Sequence, residues 1–346
     1  MTIDIAHSVI GGSSGIRFGL VGAGRQATKH VPSLSAAGRV TALFHPRAKG
    51  FDGTLPPLNA GGAAVVIPNF AEVSCFRDFG EFVHSPDFDV AIITSPTEFH
   101  VEQALALAAA GKWVLVEKPL ATSTTAVLKL RPWAHRIIPI LPVPFFAAYH
   151  TLVAAIRAGT LGDVQNVTLR RECPPPSWSM HFADPACGGA LWDLGIHDLH
   201  FACPHFGALG LHNCQLEDSS DEQLPLRVEA SFTSPAPHNE RVVPGCTVSV
   251  VASWKLQAGF IQEFTVQGTR GSLALANNQL ALSTDKLGST PHRIADLPSQ
   301  GFPALLTAAI ALIRGERTEI PELDWIPVVR AHQLLEEIQA AQPVAR

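Results

Sequence analysis

The chain has 346 residues, 47% of them hydrophobic and 16% charged, a composition that indicates a globular protein with room for two domains. The formal net charge is −5 and no Lys/Arg-rich stretch stands out, so we do not expect nucleic acid as a partner. The six cysteines are scattered without a Cys-x-x-Cys pair, which favours reduced thiols over a disulfide framework or a zinc ribbon.

Residues 1–15 are predicted to be an N-terminal extension. They lack the basic region and the long apolar core of a signal peptide. The longest apolar stretch, residues 137–148, is too short to cross a bilayer and is interrupted by prolines. We therefore expect a cytoplasmic protein without a membrane partner.

A Gly-rich turn follows the first predicted strand. The apolar run 16–21 precedes the segment 22–27 and a stretch of helical composition, which is the context of a dinucleotide-binding fingerprint. Gly22 and Gly24 let the backbone turn tightly and approach a pyrophosphate, whose charge the helix N-terminus meets. A plain tight turn would show the same local pattern. The predicted cofactor-binding residues here are Gly22, Gly24, Arg25, Gln26 and Ala27.

Through residue 145, short apolar strands alternate with helical segments. The predicted strands are 16–21, 40–44, 88–94, 113–116 and 137–142, and the predicted helices are 26–37, 77–84, 101–110 and 124–135. This alternation predicts an α/β Rossmann domain over residues 16–145, with a doubly wound parallel sheet. Residues 46–69 are rich in proline and glycine, and they are predicted to be a loop in place of a helix.

The end of the second strand bears on the choice of cofactor. An acidic residue there would accept hydrogen bonds from the ribose hydroxyls, but the sequence is Phe44-His45-Pro46-Arg47. Arg47, helped by His45, can attract a 2′-phosphate. We therefore predict that His45 and Arg47 bind the cofactor and that NADP(H) is favoured, with NAD(H) as the alternative.

Two further strand ends carry polar residues. The strand 113–116 leads into Glu117-Lys118-Pro119, and ligands bind at the carboxyl ends of strands in an open parallel sheet. The strand 88–94 leads to His100 at the start of a helix. A structural role for His100 and a solvated position for Lys118 are the plainer interpretations. The cofactor contacts predicted here are Ser95, Pro96, His100, Glu117 and Lys118.

After a predicted helix over 147–158, strands follow one another without intervening helices. The runs 164–171, 227–233, 247–254, 260–267, 272–276 and 279–283 predict a mainly antiparallel sheet. A helical insertion over 188–206 and closing helices over 303–313 and 326–341 complete an α+β domain over residues 146–346. This domain is assigned to substrate binding and oligomerisation, and its last helix can pack back on the Rossmann domain. Because a broad, open sheet face seldom stays exposed, we expect a homodimer or homotetramer formed through that sheet.

The helical insertion contains a candidate catalytic pair. Asp193 and His197 are four residues apart, so on a helix they share one face. Oxidation of an alcohol needs a base with a pKa near neutrality, which His197 can supply while Asp193 orients it. Lys118 can stabilise the alkoxide-like oxygen with its ammonium group. A hydrogen-bonded helix histidine and a helix-start aspartate are the plainer interpretations of the pair.

Other polar and aromatic residues give weaker signals. The side chains of His197, His200, Cys203 and His205 have helical spacing but no closed tetrahedral pattern, so no metal site is predicted. Some of the remaining candidates lie in a proline-rich loop that either flanks the substrate or is a plain surface loop. The pocket candidates are Tyr149, His150, Trp178 and His181.

Together these motifs resemble the Gfo/Idh/MocA family, the relatives of glucose-fructose oxidoreductase and inositol dehydrogenase. The resemblance covers roughly residues 16–340 and rests on the ordered segments 22–27, 89–96, 100–104, 111–120, 159–163, 188–197 and 268–273. It implies an N-terminal Rossmann domain and a C-terminal domain with an open-faced sheet. It also implies NAD(P)-dependent oxidation or reduction of a sugar, polyol or related carbonyl compound. By position, Lys118, Asp193 and His197 match the catalytic lysine, aspartate and histidine of the family.

The sequence departs from the family pattern in two places. Residues 44–47 lack the acidic residue that many relatives carry, and residues 144–150 replace an Asn-x-Arg-Phe type segment, so neither NAD preference nor substrate contacts carry over. The predicted function is an NAD(P)-dependent oxidoreductase that acts on CH–OH groups of a small sugar-like or polyol substrate. The alternative is a non-catalytic NAD(P)-binding regulator on the same scaffold. Such a regulator is expected to lose Lys118 or His197, and both are present here.

Overall fold

The computed structural model describes residues 15–58, 62–176, 188–218, 225–234, 242–284, 287–293 and 297–341. These residues form two compact units. The first unit takes in residues up to Ala121, with Ala126–Ile140 and Phe302–Leu323. The second unit takes in Thr122–Thr125, Leu141–Gly301 and the residues from Asp324 onward. Most of the predicted N-terminal extension, residues 1–14, lies outside the described residues.

The first unit is built on a parallel sheet. Its strands are β1 (Ile16–Val21), β2 (Gly38–Phe44), β3 (Thr54–Leu55), β4 (Val65–Val66), β5 (Ser74–Phe76), β6 (Val90–Ile93), β7 (Trp113–Val116) and β8 (Ile137–Pro139). The main sheet has the order β5-β2-β1-β6-β7-β8 with every pairing parallel, whereas β3 and β4 form a separate antiparallel pair. Both β6 and β7 are buried along their whole length, as expected for parallel strands covered on both faces.

The register of the central strands determines which loops lie side by side. Val21 of β1 pairs with Ile93 of β6, and Ile93 pairs with Val116 of β7, so these three strands end level. The helices in this part of the sequence are α1 (Arg25–Ala37), α2 (Phe79–His84), α3 (His100–Ala109) and α4 (Thr124–Leu130). The alternation of strands and helices confirms the predicted Rossmann fold.

The second unit contains a mainly antiparallel sheet. Its strands are β9 (Val164–Glu172), β10 (Gly210–Asp218), β11 (Pro225–Ser234), β12 (Val242–Ser253), β13 (Ile261–Gly268), β14 (Gly271–Ala276), β15 (Gln279–Thr284) and β16 (Leu287–Arg293). They lie in the order β10-β11-β12-β9-β13-β14-β15-β16, and only the β12–β9 pairing is parallel. The predicted α+β architecture is therefore confirmed.

The remaining helices are α5 (Ala147–Arg157), α6 (Ile196–Phe206), α7 (Leu297–Ile313) and α8 (Trp325–Ala340). A π-helical turn, Leu191–Gly195, runs directly into α6. This turn contacts β9, β11 and β12, and α6 contacts α8. Among the residues that the structure describes, no helix is both long enough and apolar enough to span a membrane.

The structure differs from the sequence prediction mainly at the margins of the sheets. The predictions omit β5, β10 and β16, and each of these is an edge strand. An edge strand has one neighbour and carries polar residues, so its apolar alternation is weak. The segment predicted as a loop over 46–69 holds the short strands β3 and β4. The predicted strand 137–142 ends at Pro139.

Candidate active site

The predicted dinucleotide turn lies between β1 and α1. The backbone N–H of Gly22 donates to the carbonyl of Phe44 at 2.9 Å, and its φ of 94° lies in the region that favours glycine. A Cβ at Gly22 would meet backbone atoms of Thr94 and Ser95 at 3.2 Å. A Cβ at Gly24 would meet nothing within 4 Å. The turn therefore requires glycine at 22, and at 24 it leaves space beside the backbone.

The first turn of α1 has the features of an anion site. Gly24 is its N-cap, no side chain caps the first turn, and no acidic residue lies in it. The N-terminal N–H groups of a helix favour a negatively charged ligand. The residues of this turn fit the pyrophosphate of a dinucleotide, which Gly22, Gly24 and the N-terminus of α1 would hold.

The loop after β6 is joined to the loop after β7 by His100. Its Nε2 lies 2.8 Å from the carbonyl oxygen of Ser95, and its Nδ1 lies 2.9 Å from that of Pro119. The ring is only 1% exposed, and burial lowers the pKa of His100. A neutral ring donates to one of these carbonyls at a time. This geometry supports the structural interpretation of His100. Ser95 is half-buried and donates through Oγ to Gln103 at 2.5 Å, while Pro96 is exposed.

Lys118 follows β7 at the carboxyl edge of the sheet, as predicted. It is half-buried, and the Lys118–Pro119 peptide bond is cis. The Glu117 side chain is buried, and its carboxylate accepts hydrogen bonds from His30 and from the backbone N–H of Lys118. Glu117 was predicted to contact the cofactor, but its carboxylate is already hydrogen-bonded within the protein.

The loop after β2 contains one arginine and is contacted by another. The backbone N–H of Arg47 donates to Nδ1 of His45 at 3.0 Å, and Nε of Arg77 donates to the carbonyl of Pro46 at 3.4 Å. Both arginines are exposed. Burial, with the charge of Arg47, lowers the pKa of His45, which suits a ring nitrogen that accepts a hydrogen bond. Arg77 was not predicted, because it is brought here by the edge strand β5.

Asp193 lies within the π-helical turn, and His197 is the second residue of α6. The helix predicted over 188–206 is therefore present, and its turn at Asp193 is π-helical. One-turn π-helices often occur at functional sites. Nε1 of Trp254 donates to Oδ2 of Asp193 at 3.3 Å, a contact between β12's end and the π-helical turn that no local pattern could have indicated. Both candidate residues are half-buried.

The residue after His197, Asp198, belongs to a buried ion pair. Nε and Nη2 of Arg171 donate to its two carboxylate oxygens at 3.1 and 2.9 Å, and Nη1 of Arg171 donates to Gln262 at 2.7 Å. The side chains of Arg171 and Asp198 are 3% and 0% exposed. Burial raises the pKa of Asp198, and Arg171 opposes that shift. This pair ties β9 to the turn of α6 that carries His197.

The remaining predicted positions differ in their surroundings. Tyr149 is fully buried, with its ring centroid 4.7 Å from that of Phe201 and 5.2 Å from that of Phe264, so it is a core residue rather than a pocket residue. His150 is exposed. Trp178 and His181 lie outside the described residues. Within the described ranges, no group of three or more His, Cys, Asp or Glu side chains is placed to hold a metal ion.

The N-terminal and C-terminal parts of the sequence each match a model of a known protein family. Residues 16–135 match the model described as "Oxidoreductase family, NAD-binding Rossmann fold", and residues 149–274 match that of the "GFO/IDH/MocA C-terminal domain". The chain belongs to the Gfo/Idh/MocA oxidoreductase family. The family resemblance inferred from the sequence motifs is therefore confirmed.

Several known proteins align with most of this chain. A dTDP-3,4-didehydro-2,6-dideoxy-alpha-D-glucose 3-reductase from Streptomyces antibioticus is 25% identical over 342 residues, covering 95% of this chain and 98% of the relative. An inositol 2-dehydrogenase from Acidothermus cellulolyticus is 27% identical over 277 residues, covering 76% and 74% of the two chains. The crystal structure of the WlbA dehydrogenase from Bordetella pertussis, in complex with NADH and UDP-GlcNAcA, superposes with a TM-score of 0.73 at 17% identity. That match covers 94% of this chain and 96% of the other, and it shows the shared fold.

Two bidentate Arg–Asp pairs among the described residues test how burial changes the contribution of such a pair to the free energy of unfolding. Arg171→Leu leaves Asp198 buried without its partner and should lower the free energy of unfolding by about 3–5 kcal/mol. Arg17 contacts Asp89 in the same way, at 2.9 and 2.7 Å, but these side chains are 36% and 25% exposed. Arg17→Leu should therefore cost about 1 kcal/mol or less.

Urea denaturation of both variants beside the wild type gives the comparison. Arg17→Leu serves as the control, because the Arg17–Asp89 pair has similar contact distances but is more exposed. Equal losses for the two variants would show that burial of the Arg171–Asp198 pair does not determine its contribution.

Proposed function

We propose that this protein transfers a hydride between NADP(H) or NAD(H) and a CH–OH or carbonyl carbon of a sugar-like or polyol substrate. The observation that carries the proposal is the level ending of β1, β6 and β7, which places the Gly22 turn and Lys118 at one edge of one sheet. The names of two relatives, a dTDP-sugar 3-reductase and an inositol 2-dehydrogenase, support this substrate class.

The chain's own residues supply the polar steps of the reaction. A bound nicotinamide would accept or donate the hydride. In the oxidative direction, His197 takes the hydroxyl proton, and the ammonium group of Lys118 stabilises the oxygen on which negative charge develops. Asp193, whose carboxylate accepts from Trp254, orients His197 or binds the substrate. In the reductive direction, His197 returns the proton to the carbonyl oxygen.

Replacement of the proposed catalytic residues should lower turnover, and His197→Ala should leave cofactor binding nearly intact. His197→Ala and Lys118→Met should each lower kcat by roughly 10²- to 10⁴-fold, and Asp193→Asn should also lower it. Since the proposal has the three residues serve one reaction step, combined replacements should cost far less than the product of the single effects. The measurement is the absorbance of reduced nicotinamide with a panel of polyols, aldoses and dTDP-sugars, using both cofactors, followed by single-turnover kinetics.

Matched variants separate chemistry from general damage. Lys112→Met removes a lysine at the amino end of β7, where Nζ donates to the carbonyls of Ser85 and Phe88 at 2.7 and 2.8 Å. His212→Ala removes an exposed histidine from β10. Both controls should retain turnover. Survival of near wild-type rates in Lys118→Met or His197→Ala would overturn that residue's role, and dinucleotide binding without turnover of any substrate would favour the regulator.

The proposed preference for NADP(H) rests on the residues after β2. Arg47, beside Arg77 and His45, offers a guanidinium group and no carboxylate to the 2′ position of the ribose. Arg47→Asp should weaken NADPH binding by about 10- to 100-fold, the worth of a hydrogen bond to a charged group, and should weaken NADH binding less. Fluorescence titration with both cofactors measures the two constants. The control is Arg39→Asp, which changes an exposed arginine near the amino end of β2. Equal losses, or a wild-type preference for NADH, would contradict this assignment.

We also propose that the sheet of the second unit forms a contact between copies of the chain. Its register aligns small side chains of β11, β12, β9 and β13 across one face, none of them buried. The row consists of Ser231, Ser249, Thr168 and Thr265. Small side chains on a sheet face let a second sheet pack against it at the usual face-to-face spacing of about 10 Å.

A charge at the centre of this row should prevent association. Light scattering of the wild type should give a multiple of the 36.9 kDa chain mass, and Thr168→Arg should reduce it to the single mass. Thr151→Arg, on the exposed side of α5, is the control and should keep the wild-type mass. A wild-type particle of 36.9 kDa at micromolar concentration would refute the proposal.

A further inference from the structure

A buried histidine and a buried glutamate meet directly behind the proposed catalytic lysine. His30 lies on the inner face of α1, and Glu117 is the residue that precedes Lys118. Nε2 of His30 and Oε1 of Glu117 form a short hydrogen bond, and the two side chains are 0% and 4% exposed. The His30 ring also packs on Phe302, with ring centroids 4.0 Å apart. The pair joins the dinucleotide helix to the loop after β7.

The protonation state of this pair follows from its surroundings. Burial alone would raise the pKa of Glu117, but the hydrogen bond from His30, the charge of that ring when it is protonated, and the charges of two nearby lysines lower it to about 2. Burial lowers the pKa of His30 in spite of its carboxylate partner. At neutral pH the glutamate is therefore an anion that can only accept, so the neutral imidazole donates from Nε2.

Both oxygens of the Glu117 carboxylate accept hydrogen bonds. Oε1 accepts from His30, and Oε2 accepts from the backbone N–H of Lys118 at 3.0 Å. One rigid carboxylate thus connects α1 to the main chain of Lys118. Because the N-terminus of α1 is also the proposed pyrophosphate site, the same helix would carry both the cofactor and the support of the lysine.

We propose that His30 and Glu117 are positioning residues that fix the Lys118 backbone relative to α1. The proposal rests on the function proposed above for Lys118. Neither His30 nor Glu117 needs to contact the substrate or the reacting atoms. A buried carboxylate is costly unless donors satisfy it, and apolar residues of similar size would fill the same space at less cost. The polar pair, unlike apolar residues, also orients the segments that it joins, because each hydrogen bond fixes the position of one carboxylate oxygen.

Two amide replacements of His30 differ in whether the side-chain nitrogen can hydrogen-bond to Glu117. The side-chain nitrogen of Gln can occupy the place of His Nε2, whereas that of Asn corresponds to Nδ1 and falls short. His30→Gln should therefore preserve the contact, and His30→Asn should break it while keeping a polar group of similar chemistry. Glu117→Asp shortens the contact from the other side and is expected to behave as His30→Asn, which keeps the test valid if one variant does not fold.

The first readout needs no substrate. Acetylation of Lys118 by sulfo-N-hydroxysuccinimide acetate, followed by peptide mass spectrometry, reports the surroundings of its amine. The second readout is kcat and KM with a substrate found by the panel, normalised to sites that bind cofactor. We expect His30→Asn to change the acetylation rate by about threefold or more and to lower kcat by about 10- to 100-fold, the effect of displacing a catalytic group by about 1 Å, with KM for the cofactor little changed. His30→Gln should stay close to the wild type, as should Arg17→Leu, which breaks an ion pair at the amino edge of the same sheet.

The outcomes distinguish this inference from the proposed function. A merely structural role would lower the melting temperature of His30→Asn but leave normalised kcat and the acetylation rate at wild-type values, and that result would overturn the inference. Equal losses in His30→Gln and His30→Asn would overturn it as well. If Lys118→Met retains turnover, the proposed function of Lys118 fails, while the acetylation rates still decide whether His30 positions it.

Discussion

A carboxylate that is removed from water must have its charge met by donors, and this requirement acts in both units of the protein. The side chains of Glu117 and Asp198 are 4% and 0% exposed. Glu117 takes a donor from His30 on α1, and Asp198 takes two from Arg171 on β9. Each carboxylate is also the direct neighbour in sequence of a proposed catalytic residue. A buried polar contact therefore fixes the backbone beside each proposed catalytic side chain.

The carboxyl edge of the parallel sheet is assembled by register rather than by any single motif. Because β1, β6 and β7 end level, the Gly22 turn, the loop at Ser95 and the Lys118 loop are neighbours. The buried His100 ring then lies between two of these loops, with one ring nitrogen within hydrogen-bond distance of a carbonyl oxygen in each. The close approach of the β6 end is also the reason that a side chain at position 22 would be crowded. The glycine and the lysine therefore depend on the same strand pairing.

The sequence was sufficient for the central strands, whose continuous apolar runs predicted β1 and β7 to the residue, and for the parallel and antiparallel character of the two sheets. It was insufficient where a contact depends on distant residues. The edge strands have weak patterns, so β5 and the Arg77 that follows it were missed. Neither His30 nor Trp254 stands in a local motif, and each acquires its partner only when distant segments pack. The π-helical turn at Asp193 is likewise a product of packing, since its sequence spacing is also that of an α-helix.

The buried pairs also explain why the proposed catalytic side chains can remain half-buried. A lysine has a long, flexible side chain, and fixing its backbone removes part of that freedom without covering its ammonium group. An apolar core beneath it could be equally stable, but dispersion contacts have little directional preference. A bidentate or doubly used carboxylate sets both the distance and the orientation of the segments that it joins. Stability can thus come from the apolar interior, while the polar pairs beside Lys118 and His197 set the backbone placement of the two proposed catalytic residues.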